Sequence, residues 1–294
     1  EDFPLGALAV RLARVSEHLL DGPGFVRISA LNFDRYDDDD LVLLYWGIGL
    51  QLGEPLAQNR YGHVLGDVTD QGKTTFDDPA ARANELGCVA LDYHSDGSDL
   101  VGLLCLRTAR TGGRSYVASA VAIHNHLVRT RPDLALALYQ LLPIDARGEQ
   151  PAGAEPFYCI PCFTRRGGRL FARFNREYVL ASQRHPGAPR LNETAREALA
   201  TVAALANEPE FHVPMDLQPG EMQFVNNYHV LHARTAYEDD PARGHKRHLK
   251  RLWLVSHGLT NRPVYFSAMY RPDHWEAHRC VSSLSAAVRA PVRT

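Results

Sequence analysis

His94 and Asp96 stand two residues apart in the stretch LDYHSDGSDL, residues 91–100. On an extended strand, side chains at i and i+2 share a face, so an imidazole and a carboxylate lie side by side there, which suits a metal ion. The letters SDGSD are equally good turn chemistry, in which short polar side chains satisfy nearby backbone groups. With 14 histidines in 294 residues, a single His-x-Asp pair carries little by itself. Its meaning depends on partners elsewhere in the chain. His232 ends the strand-like run YHVLH, and Arg247 and Arg251 open a second such run, RHLKRLWLV, after a polar loop. Ser115 closes the glycine turn TGGRS. His229, three residues before His232, faces the other side of a strand and is set aside.

The elements that must position these groups read as follows. Residues 5–20 carry apolar side chains at helical spacing, 24–31 reads as a short strand, and 41–52 as a buried helix preceded by four consecutive aspartates that favour its positive end. Residues 66–87 are polar and predict a long surface loop of the kind that covers sites. From residue 92 onward strand signals dominate. LVGLLCLRTA is a continuous buried strand and SYVAS a second, followed by a helical stretch over 119–142 broken at Pro132. Further short strands fit 157–163, 169–174, 211–217, 222–225, 228–233 and 249–256, with an alanine-rich helix over 192–206. Many short strands with clustered helices predict a mainly β fold with flanking helices, a jelly roll, and not a parallel α/β sheet.

Composition narrows the class. Hydrophobic content of 45%, charged content of 22% and a formal net charge of −2 describe an ordinary globule without the basic excess that phosphate backbones demand, so nucleic acid is not an expected partner. No apolar run approaches the ~20 residues that span a bilayer, no secretory leader is legible, and a cytoplasmic location is expected. Five scattered cysteines suggest reduced structural thiols. The C-I-P-C pair Cys159 and Cys162 lacks the second pair that a zinc site needs.

Taken together, the ordered set His94, Asp96, the GG-x-S turn ending at Ser115, His232 lying 136 positions after Asp96, Arg247 fifteen further and Arg251 four beyond that resembles the taurine dioxygenase (TauD/TfdA) family of Fe(II)- and 2-oxoglutarate-dependent oxygenases. The resemblance runs from about residue 24 to 254. It implies a double-stranded β-helix core over about 89–257, with N-terminal helix and strand elements and helical inserts at about 119–142 and 192–206, within one oxygenase domain over 1–294. It also implies that His94, Asp96 and His232 hold iron as a two-histidine, one-carboxylate triad with open positions for a co-substrate and O2. By the same resemblance Arg247 takes the far carboxylate of 2-oxoglutarate with Ser115 in support, since a planar guanidinium fork meets a carboxylate in a way lysine cannot. Arg251 matches a position that in relatives often contacts an anionic group of the substrate.

The implied reaction releases succinate and CO2 and oxidises an unactivated C–H bond of a small molecule, hydroxylation first, on a metabolite or natural-product intermediate that could bear a carboxylate. Asp96 separates the chain from halogenating relatives, which lose that ligand. A zinc-dependent hydrolase using the same three ligands is the alternative, and a non-catalytic jelly-roll binding module a third reading. Oligomeric state is open, a homo-oligomer included. Arg243 rivals Arg247 but sits in the polar loop DDPARGHK. HNH at 124–126 reads as a solvated helix face, and HWEAH at 274–278 as surface.

Overall fold

Three side chains set where the helices begin. In a computed structural model, which describes residues 5–29, 35–73 and 86–263, Asp37, Ser119 and Asn192 each accept a hydrogen bond from the backbone N–H three residues on. Each thereby satisfies a donor that the first helical turn leaves open, and such a cap contributes about 1 kcal/mol. The helices that follow are α2 (Asp38–Leu52), α3 (Ala120–Thr130) and α6 (Glu193–Ala206).

The chain opens with α1 (Leu8–Leu20), β1 (Phe25–Ile28), α2, β2 (Gly53–Leu56) and β3 (Leu65–Val68). It continues with β4 (Leu91–His94), β5 (Leu100–Arg107), β6 (Thr111–Gly112), β7 (Ser115–Ser119), α3 and α4 (Pro132–Ala137). Then come β8 (Leu142–Asp145), β9 (Phe157–Ile160), β10 (Phe163–Arg166), β11 (Arg169–Ala172), α5 (Arg176–Ala181), α6 and β12 (His212–Met215). β13 (Met222–Asn226), β14 (Val230–Arg234), β15 (Tyr237–Glu238) and β16 (His248–Ser256) complete the described part.

Two antiparallel sheets form the core, as expected of a double-stranded β-helix. The larger has the order β1-β13-β5-β16-β2, with β3 also paired to β16, and the smaller β12-β7-β14-β4. β5 lies between β13 and β16, and its two faces are buried in separate apolar clusters, Leu100, Leu104 and Leu106 on one side and Val101 and Cys105 on the other, which explains its continuous apolar run. Val101, Cys105, Val225 and Leu249 from the larger sheet meet Val117, Met215 and Val230 from the smaller one between the layers. α2 carries apolar side chains almost all round and packs under the larger sheet, with Tyr45 against Phe224.

Several expectations change. Residues 65–68, placed at the start of a surface loop, form the strand β3 on β16. Of that loop, residues 74–85 lie outside the described set. The helical stretch 119–142 is two helices: proline enters at the first turn of α4, where its missing N–H costs nothing, and the chain is back in a strand by residue 142. His124 is no solvated face residue. It is buried, with Nε2 2.8 Å from the Tyr139 hydroxyl. Cys159 is disulfide-bonded and not a reduced thiol, and because Cys162 is free the C-I-P-C pair is no redox couple. HWEAH at 274–278 falls outside the described residues.

Candidate metal centre and its two cavities

β4 and β14 are neighbours in the smaller sheet, and His94 stands directly opposite His232 in their register. The second histidine therefore comes from the adjacent antiparallel strand of the same sheet. Opposed residues on antiparallel strands bring their side chains within ~5.5 Å of each other, and here the two imidazole centroids are 4.3 Å apart. Asp96 lies just past the end of β4. One ligand atom from each of His94, Asp96 and His232 falls within 4.8 Å of the others.

The loop carrying Asp96 is held from three sides. Asn227, fully buried in the turn between β13 and β14, accepts the Asp96 N–H through Oδ1 at 3.0 Å and donates through Nδ2 to the Ser98 carbonyl at 3.0 Å. Arg173 donates to the Asp96 carbonyl, and Ser95 N–H to the Phe174 carbonyl at 2.7 Å. At Gly97 a Cβ would approach the Trp253 ring to 3.0 Å, so glycine lets that indole reach the aspartate. Trp253 then donates Nε1–H to Asp96 Oδ2 at 3.0 Å, and Arg251 Nη1 lies 3.6 Å from the same oxygen.

Protonation states favour a cation. Burial pushes the Asp96 carboxyl up, but the Arg251 guanidinium, the two imidazoles and the Trp253 N–H outweigh it and bring the group down to about 2. Burial, with His94 and Arg251 nearby, drives His232 down to about 3, so its ring is neutral. His94 donates Nδ1–H to the Asp92 carbonyl at 2.8 Å, which leaves the Nε2 lone pair for a metal. His232 Nε2 points at Asp96 Oδ2, 3.9 Å away, while its Nδ1 is buried without a partner. Two imidazoles and one ionised carboxylate with open space beside them are the donor set of non-heme ferrous iron, and the residues fit that ion.

Two consequences are measurable. Trp253→Phe frees one oxygen of Asp96, and losing a partner of a metal ligand typically lowers metal affinity ~10–100-fold. A metal titration of the variant is expected to show that loss; unchanged affinity would mean the indole does not orient the carboxylate. Stability should also depend on pH. His232 has an ordinary value of 6.5 and a folded value of about 3, so the unfolded chain takes up a proton between those limits that the native protein refuses. Stability of the metal-free protein therefore rises with pH across that window and is lost as pH falls through it. Asp96, held below its ordinary 3.8, adds a further loss only at lower pH. Melting curves from pH 7.5 to 4 are expected to show the decline, with a flatter profile for His232→Gln; parallel profiles would contradict it.

The cluster sits where two cavities meet, and His94 and Leu91 line both. The inner cavity runs between the sheets and carries Ser115, Arg247, Arg251, His232 and Arg234 on its walls. Arg247 is only 5% exposed, its Nη1 has no partner, and its guanidinium lies 5.3 Å from the Tyr237 ring. Burial lowers its pKa from the ordinary arginine value. Gly113, at φ +72°, is needed beside it: a Cβ there would sit 2.9 Å from Arg247 Nε. Ser115 begins β7 opposite Arg234 and is buried. Arg243, the rival, is 80% exposed in a short turn beside Asp240.

Arg251 lines the inner cavity and not the outer one. Its Nε donates to Gln58 Oε1 at 2.7 Å, Gln58 in turn donates to the Arg251 carbonyl at 2.8 Å, and the guanidinium stacks 5.0 Å from the Trp253 ring. The outer cavity, about 540 Å³, is lined by Leu86 and residues 89–94 and by Arg147, Asn175, Arg176, Glu177 and Tyr178. Sequence reasoning missed Trp253, Arg234, Gln58 and Asn227. Trp253 and Arg234 carried a signal, each lying two residues beyond a candidate already on an inward face, whereas the last two had none.

Comparison with known proteins agrees with this geometry. The family model described as "Taurine catabolism dioxygenase TauD, TfdA family" matches residues 1–253. FR-33289 synthase of Streptomyces rubellomurinus is 33% identical over 85% of this chain and 74% of its own length. A uridine-5'-phosphate dioxygenase of an Amycolatopsis species is 27% identical over 69% of this chain and 75% of its own. Among solved structures, asparagine oxygenase with Fe(II), hydroxyasparagine and succinate superposes with a TM-score of 0.64 at 19% identity, covering 86% of this chain and 80% of that one. The non-heme iron oxygenase OrfP with Fe and alpha-ketoglutaric acid gives a TM-score of 0.60 at 18% identity, covering 86% and 83%. The chain belongs to the TauD/TfdA family and is an Fe(II)- and 2-oxoglutarate-dependent dioxygenase.

Proposed function

We propose that His94, Asp96 and His232 hold the ferrous ion, that Arg247 and Ser115 receive the far carboxylate of 2-oxoglutarate in the inner cavity, and that a small anionic metabolite or natural-product intermediate is oxidised from the outer cavity. The observation that carries this reading is the placement of three convergent ligand atoms at the junction of the two cavities, one of which ends on a buried, unpartnered guanidinium nitrogen. When bound, iron supplies the activation of O2 that couples oxidative decarboxylation of 2-oxoglutarate to oxidation of a C–H bond. The chain's own groups bind and orient. Asp96 stays ionised and His232 neutral, so metal binding at neutral pH releases no proton from either.

Arg251 is proposed here as the brace of Asp96 rather than as a substrate contact, because Gln58 and Asp96 already engage it. Arg147 and Arg176 on the outer wall suit an anionic group, with Glu177 and Asp92 beside them for a cationic one. Two relatives bear names of small molecules that carry an anionic group, uridine-5'-phosphate and, in a taurine hydroxylase-like protein of Stachybotrys chartarum, taurine. Hydroxylation is the outcome expected. The test is a screen of small anionic metabolites with Fe(II) and 2-oxoglutarate, reading substrate-dependent O2 uptake and succinate. One O2 and one 2-oxoglutarate consumed, and one succinate formed, for each molecule of oxidised product supports the reading. Turnover with zinc and without 2-oxoglutarate would replace it with hydrolysis.

A further inference from the structure

Besides Arg247 and Arg251, the inner cavity holds a third buried arginine that the reaction as described does not use. Arg234 is 7% exposed and lies two residues beyond His232 on β14, so it shares that ligand's inward face. Its register partner on β7 is Ser115. Its guanidinium sits 4.7 Å from the Tyr237 ring, the same ring that Arg247 approaches to 5.3 Å. One nitrogen, Nη2, donates to the Val89 carbonyl; Nε is buried with no partner. The Arg247 Nη1 and Tyr237 hydroxyl are buried and unpartnered as well, so three polar atoms converge with nothing to bond to.

Charge sharpens the point. Among the described residues neither Arg234 nor Arg247 forms an ion pair. Asp239, which acts on both from a distance, spends Oδ1 on the Arg247 backbone N–H at 2.9 Å. Two buried cations with no carboxylate paired to either guanidinium raise the free energy of the empty pocket. A site so built is completed by an anion with several acceptor oxygens, and a carboxylate offers about four lone-pair positions.

The geometry points to Arg234 as a second guanidinium of the co-substrate pocket, closing with Arg247 on the far carboxylate of 2-oxoglutarate and so making the pocket selective for dicarboxylic 2-oxo acids. This rests on reading the inner cavity as the co-substrate pocket. Arg234 is a positioning and specificity residue, remote from the reacting carbon. Its bond to Val89, which also lines the outer cavity, places it between the two chambers.

The test uses Fe(II)-loaded protein without O2, titrated calorimetrically with 2-oxoglutarate and with 2-oxobutyrate, which presents the same 2-oxo acid end without a far carboxylate. Arg234→Gln is expected to weaken 2-oxoglutarate about 10-fold or more, the scale of one charged hydrogen bond, and to leave 2-oxobutyrate within about 3-fold. Arg234→Lys, which keeps the charge without the fork and serves if the first variant does not fold, is expected to lose less. Unchanged 2-oxoglutarate affinity in Arg234→Gln, with Arg247→Gln impaired, overturns the inference and leaves the pocket reading intact. Equal loss for both ligands also overturns it, marking Arg234 as structural. Full affinity in Arg247→Gln removes the pocket reading and the inference together.

Discussion

Arg247→Met is expected to raise the 2-oxoglutarate requirement about 100-fold or more while leaving metal affinity within about 3-fold. A charged hydrogen bond contributes ~1.5–3 kcal/mol, and a guanidinium that meets a carboxylate through two of them contributes ~3–6 kcal/mol, or two to four orders of magnitude in affinity. The side chain is already where such a bond needs it. It is buried, steadied against the Tyr237 ring, and its Nη1 is unpartnered, so little side-chain entropy is left to lose on binding. Methionine fills comparable volume and removes the repulsion from Arg234, so the variant should fold. Arg247→Lys should recover little, because an ammonium cannot reproduce the planar fork. Initial rates against 2-oxoglutarate concentration, with calorimetry of the same variants, read the effect. A requirement unchanged within about 3-fold would remove Arg247 from the site.

Asp96→Ala is expected to reduce both metal affinity and turnover by more than 100-fold. Partners that merely orient a ligand are worth ~10–100-fold, and a carboxylate bonded to the metal exceeds them. The substitution also uncovers Arg251. Removing one partner from a buried pair leaves the other charge uncompensated, at a cost of ~3–5 kcal/mol, so a lowered melting temperature should accompany the lost metal. The double variant Asp96→Ala with Arg251→Met separates the two effects. It should regain stability without regaining metal affinity. Recovery of both, or loss of neither in the single variant, would show that Asp96 is a structural ion-pair partner and no ligand.

How much of this was legible in the residues follows from what a linear chain encodes. The pairing of His94 with Asp96, and of both with distant His232, Arg247 and Ser115, was visible as types and spacing, because ligand chemistry restricts which residues can serve. The jelly roll was visible through period-two runs and glycine turns. Strand order was not. β14 lies between β7 and β4 in the smaller sheet, and nothing in any of these segments states that. β2 (GEPL) and β3 (LGDV) contain proline or glycine and no alternation, and they are strands because β16 offers them an edge. His124 read as exposed because its helix is polar around it, and only the fold brings Tyr139 to its ring. Asn227 and Gln58 work through hydrogen bonds to residues more than a hundred positions away, which leave no local pattern.

The central claim is that one ion joins His94, Asp96 and His232 and that Arg247 anchors the co-substrate beside it. Crystals grown without O2 in the presence of Fe(II) and 2-oxoglutarate, measured on both sides of the iron absorption edge, test it most directly. The account expects a single strong anomalous peak within bonding distance of His94 Nε2, His232 Nε2 and an Asp96 oxygen, with the far carboxylate of 2-oxoglutarate against Arg247. A peak bonded to other residues, or a dicarboxylate lying away from Arg247, would contradict it.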